Sequence, residues 1–313
     1  MGAHTTPEHS ALPAPGKVEP IITETPAARV YAVRDLADAL ARDAARRFTA
    51  RASGAPLGPV TALSKLDREL GGSMEPGVHV LHADPGAGKT AFALQIAATC
   101  GVPALYVTAE MSPIELMRRV CARVTETYLA KYKDGALTET AVREHVRRAG
   151  DACPDLRIVD GTAGPATPAL MLAHGEALRT DTGLLIVIDS AHRWVHSTGA
   201  AASEYDLLSA ALTELGRVSA HLECPILVIA ERNRMSRQGS KGAGMDAAAG
   251  TRSFEYGATT VLALDPPSPE EGGGPHTQEK QVRLTLQKNR SGQSGGRVNL
   301  LFHGGFQRFR EAP

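Results

Sequence analysis

Val78-His79-Val80-Leu81-His82-Ala83-Asp84-Pro85-Gly86-Ala87-Gly88-Lys89-Thr90-Ala91 is the stretch on which the fold of this chain turns. An apolar strand runs into a glycine-rich loop, and the loop into an aliphatic helix. Glycines let backbone N–H groups turn inward around an anion, and the following helix adds the partial positive charge of its N-terminus. In that setting Lys89 reaches the β- and γ-phosphates, and the Thr90 hydroxyl completes a magnesium shell. Asp84, Pro85, Gly86, Ala87, Gly88, Lys89, Thr90 and Ala91 are therefore expected to bind ATP with Mg2+. Ala83 stands where the general pattern begins with glycine. Flanking strand and helix carry the reading against the alternative, a chance glycine-rich turn.

Working outward, apolar runs recur at 78–81, 104–107, 184–188, 226–230, 261–264, 282–286 and 298–302. Helical patterns lie between the first several, at 90–98, 139–148, 168–179 and 205–222. Another opens at Ser112-Pro113-Ile114-Glu115, with Ser at the N-cap, Pro at the first helical position and Glu placed for a capping box. Continuous apolar strands alternating with helices predict an α/β fold with a mostly parallel sheet covered on both faces. The last two strands, joined by a short glycine-rich link, are expected to pair antiparallel at the sheet edge.

Ahead of this core, residues 1–28 are rich in Pro, Thr and Ala without periodicity and read as a disordered leader. Residues 29–56 read as one amphipathic helix with Val33, Leu36, Leu40, Ala44 and Phe48 on one side, stopped by Ser53-Gly54-Ala55-Pro56. It either packs on its own domain or docks on a neighbouring subunit. The remaining 57–313 form the main domain. Loops at 234–252 and 265–280 read as surface segments.

Composition narrows the function. Lys+Arg and Asp+Glu both total 34, so the formal charge is zero. Global attraction to nucleic acid or an anionic membrane is thereby disfavoured, and any DNA contact must come from a local patch. The four cysteines lack zinc-ligand spacing. Cys100 and Cys224 border apolar runs, where buried reduced thiols are expected. No signal-peptide core is present, nor any run of about 18 apolar residues. A cytoplasmic protein with no membrane partner is expected.

Three further constellations carry chemistry. Leu184-Leu185-Ile186-Val187-Ile188-Asp189 is a buried strand with an acid at its carboxyl end, placed to hold magnesium or, alternatively, to cap a helix. Glu110 ends the strand after the phosphate-loop helix; a carboxylate there can orient or deprotonate water, or simply be a surface acid. Lys288 and Arg290, two apart at a strand tip, leave the same face. They suit a γ-phosphate clamp acting in cis or from a neighbour, or else a solvated basic edge.

The order of these motifs resembles the C-terminal motor domain of DnaB-type replicative helicases, a RecA-like P-loop fold of superfamily 4. The likeness runs from about Val60 to Arg310. It includes Thr61, Leu66-Asp67, Gly71-Gly72 and Pro76-Gly77, the loop ADPGAGKTAFALQIA, and Glu110-Met111-Ser112. It continues through LLIVIDS, Lys288-Asn289-Arg290 and the ending Gly304-Gly305-Phe306-x-Arg308-Phe309. The resemblance implies an ATPase, converting ATP and water to ADP and phosphate, that acts as a homo-hexameric ring with the nucleotide between subunits. By it Glu110 becomes the catalytic base, Asp189 the Walker B acid, and Lys288 and Arg290 fingers acting in trans. The helix over 29–56 becomes a linker that packs on the adjacent subunit. Loops at 192–203 and 234–252 would line a pore for single-stranded DNA, with Arg234, Arg237, Lys241 and Arg252 on its phosphates. A replication initiator or loader is an implied partner.

Departures from the family pattern are also legible. Ser190-Ala191-His192-Arg193-Trp194 replaces the usual Tyr-Leu-Gln-Leu. Glu231 stands where the family has a γ-phosphate-sensing Gln, and a carboxylate donates no hydrogen bond unless protonated. The family's primase-recruiting domain has no counterpart ahead of Pro59. The competing readings are a RecA-like regulatory or repair ATPase, resembling the RadA or KaiC branches, and a nucleotide-binding scaffold. Trp194 is expected to pack against the core, with base stacking as its alternative.

Overall fold

Residues alternate so regularly along the apolar runs that each strand serves two cores at once. The computed structural model describes residues 30–196, 204–231, 257–265 and 279–313. Nine strands form one sheet in the order β3-β2-β4-β5-β1-β6-β7-β8-β9. They are β1 (Gly77–Ala83), β2 (Ala104–Thr108), β3 (Leu156–Asp160), β4 (Leu185–Asp189), β5 (Pro225–Glu231), β6 (Thr260–Asp265), β7 (Glu279–Asn289), β8 (Arg297–His303) and β9 (Arg308–Glu311). From β3 to β6 every pairing is parallel, and from β6 to β9 every pairing is antiparallel. The expected edge is thus present and longer than read, because β7 also turns back on β6 and β9 closes the end.

Eight helices are described: α1 (Ala37–Ser53), α2 (Ser64–Glu69), α3 (Lys89–Thr99), α4 (Pro113–Thr125), α5 (Glu139–Ala152), α6 (Pro168–Leu178), α7 (Ala191–His196) and α8 (Glu204–Leu222). Leu81, Tyr106, Val187 and Ile229 face the core shared with α3 and α4. Val80, Val107, Ile188 and Val228 face the one shared with α6, α7 and α8. Ala91 to Ala98 of α3 are all buried, the alanines keeping that helix narrow under the sheet centre. Its one buried amide is fully paired. Gln95 Nε2 donates to the Phe309 carbonyl at 2.9 Å, and the Phe309 N–H returns a bond to Gln95 Oε1 at 2.8 Å. That pair fastens the last strand to the phosphate-loop helix.

At α4 the Ser112 hydroxyl accepts from the Glu115 N–H at 3.4 Å and Pro113 opens the helix. The expected return bond of a capping box is not seen. The Glu115 carboxylate turns instead to Lys133 at 2.6 Å and Arg118 at 3.1 Å. Asp67, part of the motif read before the loop, is a structural residue. Its Oδ1 accepts from the Thr61 N–H and hydroxyl at 2.6 and 2.7 Å. Cys100 and Cys224 are buried free thiols as expected.

The arm is different. A 3-10 turn, Val33–Leu36, leads into α1, which stops at Gly54 in the left-handed conformation at φ 70°. No residue of α1 is buried, and Leu40 and Phe48 are 69% and 76% exposed. Arg47 ties it to the body through Glu75 at 3.1 Å. Residues 1–28 and most of the two surface loops lie outside the described residues. No described helix is long and apolar enough to cross a membrane.

Candidate active site

Three parallel pairings bring the carboxyl ends of four strands to one level: Ala83 opposite Glu231, and Thr108 opposite Asp189. The crevice beyond such strand ends is where open α/β sheets bind ligands. Here it is a cleft of about 290 Å³ lined by Gly86, Gly88, Lys89, Thr90, Glu110, Arg119, Asp189, Glu231, Phe302 and Gln307, among others.

The loop follows from its glycines. Gly86 and Gly88 take φ 80° and 96°, and the Ala87 N–H closes the turn on the Asp84 carbonyl at 3.2 Å. A Cβ on Gly88 would also come within 3.0 Å of the Phe309 ring and 3.1 Å of Phe302. Side chains are excluded there twice over, by backbone conformation and by space. Lys89 Nζ donates to the carbonyls of Ala83 and Asp84 at 2.9 and 3.1 Å. Burial pulls its pKa below the usual lysine range, against the attraction of Glu231, Glu110, Asp189 and Asp84. A buried ammonium facing four carboxylates is a ready counter-charge for phosphate oxygens.

Asp189 is 1% exposed. Burial raises its carboxyl above the usual range, opposed by hydrogen bonds from Tyr106 and Thr90. Tyr106 donates to Asp189 Oδ2 at 2.7 Å, while Oδ1 is buried with no partner among the described residues. Burial, with the Asp189 charge, holds the Tyr106 phenol well above its ordinary pKa. An orphaned carboxylate oxygen beside the Thr90 hydroxyl fits a hard cation with oxygen ligands. No group of three or more His, Cys, Asp or Glu suited to a metal occurs among the described residues. That agrees with magnesium, which keeps waters and phosphates as most of its shell.

Glu110 reaches the cleft because the Ala109 N–H is anchored on the Asp189 carbonyl at 2.6 Å. Its side chain is exposed, as is that of Glu231, whose N–H points to His192 Nδ1 at 3.4 Å. Trp194 is buried, its indole N–H on the Ala166 carbonyl at 2.5 Å, so base stacking is excluded for it by packing.

Lys288 and Arg290 are not brought to this cleft. Lys288 lies opposite Val261, which lies opposite Val80, and Arg290 donates its N–H to the Thr259 carbonyl. Lys288 is thus three residues back from Ala83, roughly 10 Å along the strands, and Arg290 lies farther back. A clamp in cis on this chain's own nucleotide is therefore ruled out by register. Arg234, Arg237, Lys241 and Arg252 lie outside the described residues.

Sequence reasoning missed Tyr106, Arg119 and Gln307. Arg119 projects from α4 into the cleft and donates through Nη1 to Gln307 Oε1. Tyr106 sits inside an apolar run and gave no signal. Arg119 is one of several arginines on its helix, and only packing selects it.

Comparison with known proteins agrees with the geometry. Two structures share the fold. One, an ATPase domain solved on its own, has a TM-score of 0.72 at 17% identity, over 89% of this chain and 99% of that one. A DnaB-like replicative helicase, solved with its interactions with primase, has a TM-score of 0.69 at 16% identity, over 91% and 68%. Among curated relatives, the DNA repair protein RadA of Pseudomonas aeruginosa is 33% identical over 118 residues, 37% of this chain and 25% of that protein. RadA of Mycobacterium tuberculosis H37Rv is 40% identical over 108 residues, 28% of this chain and 22% of that protein. The chain therefore spans a quarter or less of these relatives. The family described as DnaB-like helicase C terminal domain matches residues 58–311, and the chain belongs to that family.

Proposed function

We propose that this protein is the ATP-hydrolysing motor of a DnaB-like helicase or translocase that works as a ring on single-stranded DNA. One observation carries the reading. The cleft holds a phosphate loop, a metal carboxylate and an acid for water, while the two cations at the tip of β7 lie at the other end of the sheet. A site so divided calls for a neighbouring copy to supply Lys288 and Arg290, and the exposed apolar side of α1 suits a second copy equally.

In this reading Lys89 leaves the carbonyls of Ala83 and Asp84 and donates to the β- and γ-phosphate oxygens. Asp189 and Thr90 would hold Mg2+, which supplies charge neutralisation between those phosphates. Glu110 accepts a proton from the attacking water as its oxygen bonds to the γ-phosphorus and the bond to the β-γ bridging oxygen breaks. Glu231, beside Lys89, faces the same phosphate. Lys288 and Arg290 of one copy offset the charge developing on the next copy's nucleotide. Arg234, Arg237, Lys241 and Arg252 bind DNA phosphates, and an initiator or loader places the ring.

The steady-state ATPase rate, measured with and without single-stranded DNA at low and moderate salt, tests this. Strong stimulation that fades with salt is expected, because each phosphate contact releases counterions. A rate indifferent to DNA at both salts would replace the motor with a RecA-like regulatory ATPase.

A further inference from the structure

The turn between β8 and β9, Gly304 to Gln307, reaches across the cleft mouth to a helix far away in sequence. Gln307 is 7% exposed although it lines the cleft. Its backbone takes φ 53°, a left-handed conformation that costs a glutamine free energy. Something in the folded protein holds it there. The amide group is engaged at both ends: Nε2 donates to the Gly304 carbonyl, and Oε1 accepts from Arg119 Nη1.

The turn itself is pinned. The Leu129 N–H donates to the Gly305 carbonyl at 2.8 Å, and Arg308 pairs with Glu126. Tyr128 packs on Phe306 with ring centroids 4.8 Å apart, and His303 stacks on Phe306 at 4.0 Å. Gly305 lies so close to Tyr128 that a Cβ would come within 2.6 Å of the ring. A rigid platform thus presents one amide oxygen to one guanidinium. The Arg119 side chain is only 18% exposed, and its Nε is buried with no partner among the described residues. Its remaining charged contact, Glu115, is 3.9 Å away. Gln307 therefore supplies the bond that fixes where this guanidinium points. Arg119 shares the cleft with Glu110 and Asp189, and its charge reaches the Tyr106 hydroxyl that holds Asp189.

We infer that Gln307 is a positioning residue that aims Arg119 at the phosphates of the bound nucleotide, tying the β8–β9 turn to the chemistry at the phosphate loop. This rests on the nucleotide-site reading above. A guanidinium directed at charge that develops in the transition state acts chiefly on kcat. An amide that only stabilises its own turn would act on folding.

Gln307→Asn is the informative variant, because asparagine tolerates the left-handed backbone but retracts the amide by one methylene. The full chain carries it alone, with Arg119→Ala, and as the double variant. Steady-state ATP hydrolysis, melting temperature and calorimetric ATP binding are measured for each. Gln307→Asn should lower kcat about tenfold, the scale of one lost hydrogen bond to a charged group, with KM changed less than about twofold. Arg119→Ala should lower kcat further, and the double variant should be no slower than Arg119→Ala alone. Wild-type kcat in Gln307→Asn overturns the proposal. So does a double variant in which the two losses multiply, or a loss that tracks a lowered melting temperature. Failure of the wild-type chain to bind ATP would sink the nucleotide-site reading and this proposal with it. Intact binding with any of the other failures removes the proposal alone.

Discussion

At the carboxyl ends of β1, β2, β4 and β5, Lys89 and Asp189 have partners from within the chain, and Asp189 is sealed from solvent. The arm α1 has the opposite character: a helix with apolar side chains and no buried residue, tied to the body through Arg47 and Glu75. Both regions are built of ordinary helical and strand sequence, so propensity does not separate them. Burial does. The cleft is a product of this chain's own packing, whereas a short helix with nothing to pack on gains little from its apolar side. Apolar groups left in water on one side of a regular helix mark a surface whose partner is another molecule.

The largest effect should come from the cleft. Glu110→Gln keeps the shape of the side chain and removes the base, so ATP turnover should fall about a thousandfold while nucleotide binding persists. Turnover within a few-fold of wild type would remove Glu110 from the chemistry and make the cleft a binding site only.

A matched pair of phenylalanines sharpens the contrast next. Phe92 is fully buried against Phe309, with ring centroids 5.1 Å apart, whereas Phe48 is 76% exposed. Phe92→Ala should destabilise the fold by about 3–5 kcal/mol in urea unfolding. Phe48→Ala should move it by less than about 0.5 kcal/mol, yet weaken self-association in sedimentation with Mg-ATP. Equal losses of stability would mean that the arm packs on its own body, and the comparison would collapse.

The same contrast explains what the sequence disclosed. The phosphate loop, the strand to Asp189 and the antiparallel edge were legible because each is a local pattern: glycines at fixed offsets, a continuous apolar run, a short return. β3 escaped because Arg157 interrupts an edge strand that is only half buried. Gln307 escaped for another reason. It meets Arg119 across 188 residues, and nothing near either one announces the other. Lys288 and Arg290 stand together at one strand tip, as their spacing suggests. Only register showed them to be at the far end of the sheet from the phosphate loop, since Gln287 is taken up in a bulge opposite Val261 and Leu262. Local grammar found the elements; distances between them needed the fold.

Asp189 tests whether the cleft is arranged for function at some cost in stability. Its carboxyl titrates above the usual range because burial disfavours the charge. The folded state therefore binds more protons than the unfolded state as pH rises past the ordinary carboxylate value, and ionising Asp189 subtracts stability near neutrality. Asp189→Asn should raise the melting temperature of the nucleotide-free protein and abolish magnesium-dependent hydrolysis. A lowered melting temperature would show that the Tyr106 and Thr90 bonds outweigh the buried charge.

The smallest effect concerns His79, at the opposite end of β1 from the phosphate loop. Its Nε2 lies 2.8 Å from the Glu75 carbonyl and donates to it, while Nδ1 is buried with no partner among the described residues. Burial holds the imidazole below its ordinary pKa of 6.5, with the Glu75 carbonyl and carboxylate pulling the other way. As pH falls below that ordinary value, the unfolded chain takes up a proton that the folded one resists, so stability falls. Above it both states are neutral and His79 adds no slope. The slope from one group is at most about 1.4 kcal/mol per pH unit. Urea midpoints from about pH 8 to pH 5.5 should drop for the wild type and drop less for His79→Leu. Identical slopes would assign the acid sensitivity elsewhere. Because Glu75 also pairs with Arg47, Arg47→Ala gives the control. Breaking an exposed ion pair should cost no more than about 1 kcal/mol. It should leave the His79 slope in place, since the carbonyl that holds the ring belongs to the body and not to the arm.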